Sequence, residues 1–334
     1  MVVNGNAKSV TEEIISSLDQ IMLGGDLFVS KRIEETDEIA ETLVSRGYGT
    51  VLTGGGDGTF MVMVSAVVRA ARRLDAPLPR FGFLKLGTGN ALAHVVGATG
   101  GEKAEALAVD IGRLREDAGS RLIRLIEVDD LLSPFCGFGT DAGVLKDYNA
   151  TRQMLARTPL RRYQAGGFAY ALSVVSRTMP KMLVTSAVRC KVINRGSEAY
   201  RIAGDGSVMG RPYAKGEVVY DGPARVAGVA TIPFFGFGFR AFPFAEERSD
   251  RMHVRVSTMS PVGFARNIRS VWSGQYDDPN VMFDFLMDDV EFEMSKPTPF
   301  QIAGDVAGDR RHVRAKMMEE PIRLVDFYAP PSAD

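Results

Sequence analysis

The run Gly54-Gly55-Gly56-Asp57-Gly58-Thr59 sets one carboxylate among four glycines, between the apolar Val51–Leu52 and a longer apolar stretch from Phe60. Glycine accepts positive φ and lets an anion come close to the backbone. The start of a following helix adds unpaired N–H groups and a positive dipole end. That combination suits phosphate. It is not a Walker loop, because no Lys-Ser/Thr follows at the required spacing, and it is not the dinucleotide fingerprint. A carboxylate beside phosphate is repulsive unless it holds Mg²⁺ or takes a proton from an attacking hydroxyl. The plain alternative is an aspartate N-cap in a tight strand–helix turn. A second junction, Gly87-Thr88-Gly89-Asn90, follows "FLKL" and precedes "ALAHVV". On neighbouring strands of a parallel sheet, two such loops face the crevice at the strands' carboxyl ends.

The elements that must position these loops are legible in the first third. Val2–Val3, "DLFVS", "TVLT" and "RFGFLKL" read as strands. "EETDEIAETLVSRG", Thr59 to about Leu74, and the segment from "NALAHVV" read as helices. Strands alternating with helices argue a parallel sheet covered on both faces. After about Leu122 the period changes. Residues 146–178 read as helical. "LVTSAVRCKVI", "ARVAGVATI", "RMHVRVS", "VEFEM" and "RHVRAKM" are short strands of an antiparallel domain, with one helical segment at "PVGFARNIRSVW".

With 334 residues, two domains are expected. The pattern gives a fold class of α/β plus all-β: a parallel α/β domain first, then an antiparallel sandwich or barrel-like domain. A net charge of -1 argues against nucleic acid as a partner. Two cysteines with no spaced pair fit a reducing cytosol rather than a disulfide frame. The opening "MVVNGNAKSV" has no signal-like core, and no apolar run reaches the about 18 residues of a membrane span. The expected location is cytoplasmic, with peripheral contact at the inner membrane face.

"GGGDGT" followed by "GTGNALA" resembles the diacylglycerol kinase and sphingosine kinase superfamily of lipid kinases. "VVNGNAKSV", "CGFGTDAGV", "PFFGFGFRAFPFAEERSDRMHVRV" and "FQIAGDVAGDRRHVRAKM" resemble further motifs of that family, in order. The resemblance implies a Rossmann-like nucleotide-binding domain over 1–130 plus 321–334, since the family's chain end returns to the first domain, and an antiparallel β-sandwich over 131–320, with ATP and Mg²⁺ bound. It implies Asp57 as general base or Mg²⁺-linked acid. It also implies Asn4, Ser30, Gly55, Gly56, Gly58, Thr59, Thr88, Gly89 and Asn90 as nucleotide contacts. Asp305 would be a second catalytic and Mg²⁺-binding carboxylate. Asp141 would be a headgroup contact, or else a turn residue.

Departures matter too. Gly5 and Lys8 replace the first motif's proline and glycine, and Ala303-Gly304-Asp305 replaces Asp-Gly-Glu. The expected partner is a diacylglycerol-like or sphingoid lipid. Arg152, Arg157, Arg161 and Arg162 form either a membrane-facing basic stretch or a solvated helix face. A homodimer is left open. The phenylalanines from Phe234 to Phe244 are mostly assigned to packing. Two rivals stand: a non-catalytic or weakly active relative, and a kinase for NAD or a sugar phosphate.

Overall fold

The computed structural model describes residues 1–6, 10–22, 26–32, 34–86, 91–97, 103–115, 118–139, 150–159, 161, 172–173, 187–235 and 238–329. The chain divides into two compact units. One comprises Met1–Arg124, Asp130–Leu132 and Glu319–Asp334; the other comprises Leu125–Asp129 and Ser133–Met318.

The first unit runs β1 (Val2–Asn4), α1 (Glu12–Met22), β2 (Phe28–Ser30), α2 (Glu35–Ser45), β3 (Thr50–Gly55), α3 (Asp57–Leu74), β4 (Arg80–Lys85), α4 (Lys103–Arg115) and β5 (Ser120–Ile123). It closes with β18 (Ile322–Val325). Its six-stranded sheet has the order β2-β1-β3-β4-β18-β5. All pairings are parallel except β18 with β5. Central strands β3 and β4 are almost wholly buried, as expected of strands covered on both faces. Helix α3 buries Phe60, Met61, Met63, Val64, Val67 and Val68, and ends on exposed Arg72 and Arg73 where the dipole favours cations.

The second unit holds β6 (Ile126–Val128), β8 (Phe135–Gly139), β9 (Val188–Asn194), β10 (Ala199–Ile202), β11 (Val208–Tyr213), β12 (Val218–Ala224), β13 (Val226–Ala230) and β14 (Met252–Ser257). Short helices α5 (Pro261–Arg266) and α6 (Ile268–Trp272) follow, then β15 (Met282–Met287), β16 (Asp289–Ile302) and β17 (Asp305–Met317). Together with β7 (Leu131–Ser133) these strands form one twelve-stranded sheet, in which β8 to β17 pair antiparallel with one another and β17 pairs antiparallel with β6. Strand β16 is its corner. Val290–Met294 pair with β9, and Phe300–Ile302 pair with β8. Gly139 ends β8 at φ +104, where a Cβ would lie 2.1 Å from the Arg225 carbonyl oxygen, so no larger residue fits that backbone approach.

Two helical expectations change. "NALAHVV" yields, among its described residues, only a 3₁₀ turn at Leu92–His94, which ends at Gly97 with φ +62. "PVGFARNIRSVW" is two helices, because the Asn267 side chain donates to the Gly263 carbonyl at 2.9 Å and competes with the helical pattern. Helices α1 and α4 and strands β10, β11, β12 and β15 were not anticipated. Residues 150–156 are helical, but most of the expected helical region 146–178 lies outside the described residues. Among the described residues no helix is long and apolar enough to cross a membrane.

Candidate functional site

The order β2-β1-β3 reverses the direction of winding at β1. Right-handed crossovers then send the connections after β1 and β3 to opposite faces of the sheet, leaving a crevice at their carboxyl ends. Four of the expected site segments end there. Asn4 closes β1, Ser30 closes β2, Gly55 closes β3, and Asp57 opens α3 with Gly56 as its extended N-cap.

Hydrogen bonds tie these segments together. Asn4 Nδ2 donates to Thr59 Oγ1 at 3.1 Å, bridging the winding reversal. The Asn6 N–H donates to Asn4 Oδ1 at 2.9 Å, and Asn6 Nδ2 donates to the Lys31 carbonyl at 2.6 Å. The Gly5 N–H donates to the Ser30 carbonyl at 2.8 Å, and Ser30 Oγ donates to the Arg32 carbonyl at 3.0 Å. Glu35 accepts the Lys31 N–H at 2.9 Å. That bond and its Arg32 partner hold its carboxyl below the usual glutamate value. Asn4 and Ser30, expected as nucleotide contacts, therefore hold the loops against one another. Gly55 is fixed by the same packing, since a Cβ there would lie 2.5 Å from Thr59 Oγ1.

Asp57 is 8% exposed. Its Oδ2 accepts the Ala91 N–H at 2.8 Å, and its Oδ1 accepts the Leu92 N–H at 3.1 Å. The carboxylate thus caps the turn that follows the second glycine loop. Neither loop motif shows this link, because the partners lie 34 and 35 residues on. Its nearest sequence signal is the N-cap alternative, but the turn being capped is another one. Thr88, Gly89, Asn90 and Asp141 lie outside the described residues, as does Lys8.

Asp305 belongs to the second unit, at the start of β17. Among the described residues its carboxylate makes no hydrogen bond or ion pair. The protein around it desolvates the carboxyl and raises it above the ordinary aspartate value. The side chain is itself solvent-exposed, so that shift carries little stability. Ile302 pairs with Asp305 across a two-residue turn, Ala303 at φ 43 and Gly304 at φ 87. Two positive φ values make this a type I′ turn, which favours Asn-Gly or Asp-Gly. An aspartate before Gly304 would therefore suit the backbone as well as any chemistry. Ala303→Gly is expected to raise stability by about 0.5–1 kcal/mol, read as a higher urea midpoint with unchanged slope.

Mg²⁺ takes oxygen ligands and keeps several waters. The exposed carboxylate of Asp305 fits that chemistry. Asp57 has each oxygen already accepting one N–H bond, so it would meet a metal only through its remaining lone pairs or through water. Among the described residues, Glu291, Glu293 and His312 bring ligand atoms within 4.8 Å of one another. Glu291 is paired with Arg195, and Glu293 with Lys191 at 3.4 Å, so a metal would have to displace two cations.

Residues 3–118 match the family model of the diacylglycerol kinase catalytic domain. A solved diacylglycerol kinase structure from Bacillus anthracis str. Sterne aligns over 97% of this chain and 95% of its own, with 13% identity and a TM-score of 0.59. A protein of the same organism assigned to the diacylglycerol kinases aligns over 97% and 93%, with 13% identity and a TM-score of 0.62. At such identities these likenesses establish the fold. No curated protein sequence matches the chain.

Proposed function

We propose that this chain, whose residues 3–118 match the diacylglycerol kinase catalytic domain, is a kinase of that superfamily that transfers the γ-phosphoryl group of ATP to a hydroxyl of a diacylglycerol-like or sphingoid lipid. One observation carries the reading: the glycine turn and the N-terminus of α3 sit at the winding reversal of a parallel sheet, tied to the β1 loop by the Asn4–Thr59 bond. An anionic ligand suits that position, since N–H groups and the helix dipole converge there.

The residues divide the work. Gly56, Gly58 and Thr59 bind phosphate oxygens through the first turn of α3. Asn4, Ser30 and Gly55 keep that turn in register with its neighbours. Asp57 orients the second loop, and the nucleotide contacts of Thr88, Gly89 and Asn90 follow from that. Asp305 would hold Mg²⁺, whose charge offsets the charge that develops in phosphoryl transfer. Catalysis then rests mainly on position and electrostatics.

Labelled ATP offered with diacylglycerol, sphingoid bases, NAD and sugar phosphates tests this. Label is expected on a lipid hydroxyl and to fall by about 100-fold or more in Asp305→Asn, the loss typical of one stabilising group. Label on NAD or a sugar phosphate alone would replace the lipid reading. A second reading, a relative that binds without transfer, is favoured by one observation, the alanine at 303. If it holds, wild type labels nothing and Ala303→Asp gains transfer.

A further inference from the structure

Helices α5 and α6 carry an outward face whose chemistry the second unit does not use internally. The segment is well made. Ser260 caps α5, its Oγ accepting the Gly263 N–H at 3.0 Å, and Pro261 stands at the helix start. Val271 packs inward with Met259 and Met282, and Phe239, Phe264 and Tyr276 flank that cluster. Trp272 stacks on Phe239 with ring centroids 5.1 Å apart. On the outward side Val262 and Ile268 are 47% and 46% exposed. Ala265, Arg266 and Arg269 are exposed with them.

The charge on this stretch has one sign. From Arg251 to Tyr276 there are four arginines and no acidic residue. Arg251 is paired with Asp250, and Arg255 with Asp284. Arg266 and Arg269, the two on the helices, make neither an ion pair nor a side-chain hydrogen bond among the described residues. Arg240 adds a third exposed cation next to α6, its N–H donating to the Trp272 carbonyl at 3.0 Å.

We propose that this face docks on an anionic lipid surface. Two aliphatic side chains are far short of the about 800 Å² per partner that a stable protein interface buries. They suit shallow insertion between headgroups, with the unpaired arginines drawn to the surface charge. The inference does not draw on phosphoryl transfer, so the assay contains no ATP and its failure leaves the kinase reading standing.

The test is co-sedimentation of the full chain with phosphatidylglycerol/phosphatidylcholine vesicles and with pure phosphatidylcholine vesicles. Binding is expected to the anionic vesicles only, and to weaken as salt rises. Arg266→Gln with Arg269→Gln should weaken it about 30-fold, about fivefold for each charge removed. Val262→Ser with Ile268→Ser should also weaken it. Leu122→Ser, at a 69% exposed residue of the first unit, should leave it unchanged. Wild type that ignores anionic vesicles, or paired variants that bind like wild type, would overturn the proposal. So would a Val262/Ile268 variant that changes the oligomeric state with vesicle binding intact, since the face would then join two copies of the chain.

Discussion

Asp57→Ala is expected to abolish phosphoryl transfer and also to destabilise the first unit by about 3 kcal/mol or more, because it strands the buried N–H groups of Ala91 and Leu92. The paired outcome follows from where the carboxylate points. A general base with no structural task could be replaced at little cost in stability. A carboxylate that caps a distant turn cannot. Asp57→Asn sharpens the distinction. An amide can turn its oxygen to only one of the two N–H groups, and its NH₂ then meets the other donor. If Asp57 positions the second loop, Asp57→Asn will bind ATP more weakly and melt earlier, and the rate of transfer will fall with them. If it only takes a proton, nucleotide affinity and melting temperature will match wild type while the rate alone collapses. Calorimetry of nucleotide binding beside thermal melts decides between the two.

Asp284→Ala is expected to cost about 3–5 kcal/mol, a large share of a typical domain's 5–15 kcal/mol. Asp284 joins β14 to β15 inside the second unit. Arg255 Nε and Nη2 donate to its two oxygens at 2.6 and 3.0 Å, and His253 Nε2 lies 2.8 Å from Oδ1. Arg255 also donates to the Ala241 carbonyl at 2.7 Å, and Phe242 and Phe244 meet the His253 ring edge-on. Removing the carboxylate leaves the Arg255 guanidinium buried without its counter-charge. The double variant Asp284→Ala/Arg255→Met should recover most of the loss, since it removes the stranded charge as well. Urea denaturation of the single and double variants measures both steps. Equal stability of wild type and Asp284→Ala would show that the pair contributes nothing.

The same network fixes a pH dependence. Burial alone would raise the Asp284 carboxyl, but Arg255 and then His253 outweigh it and hold the group well below the usual carboxylate range. Its contribution is present above the unfolded aspartate value and is lost as pH falls through the folded one. Burial pushes the His253 imidazole below its ordinary value, against the pull of Asp284. The unfolded chain therefore takes up that proton before the folded one does, and stability drops once pH falls below about 6.5. Both groups act in the same direction. Between pH 7 and pH 5 only the His253 shift acts, so melting temperature should fall there, and more steeply in Asp284→Ala/Arg255→Met, which removes the carboxylate that favours the charged imidazole; the Asp284 contribution is lost only below about pH 4.

The sequence by itself determined the inner strands, helices α2 and α3 and the class of the first unit, but not helices α1 and α4. Buried runs such as Val51–Thr53 and Phe81–Leu84, each bounded by glycine or proline and followed by an apolar helix or turn, can only be inner strands of a covered sheet. Helix α2 stops at Gly47 because glycine accepts the φ of +68 that ends it. Periodicity reports which face of one element is buried, and turn residues report where it stops. Neither reports a partner distant along the chain. The tertiary structure alone placed β18 between β4 and β5, with Leu324 opposite Phe81. It alone turned Asp57 toward Ala91 and Leu92, and gathered His253, Arg255 and Asp284 into one buried cluster. It alone left Arg266 and Arg269 without acids among the described residues, while Arg251 and Arg255 found them. Such pairings depend on strand order and register, which the competition among all elements for one core decides.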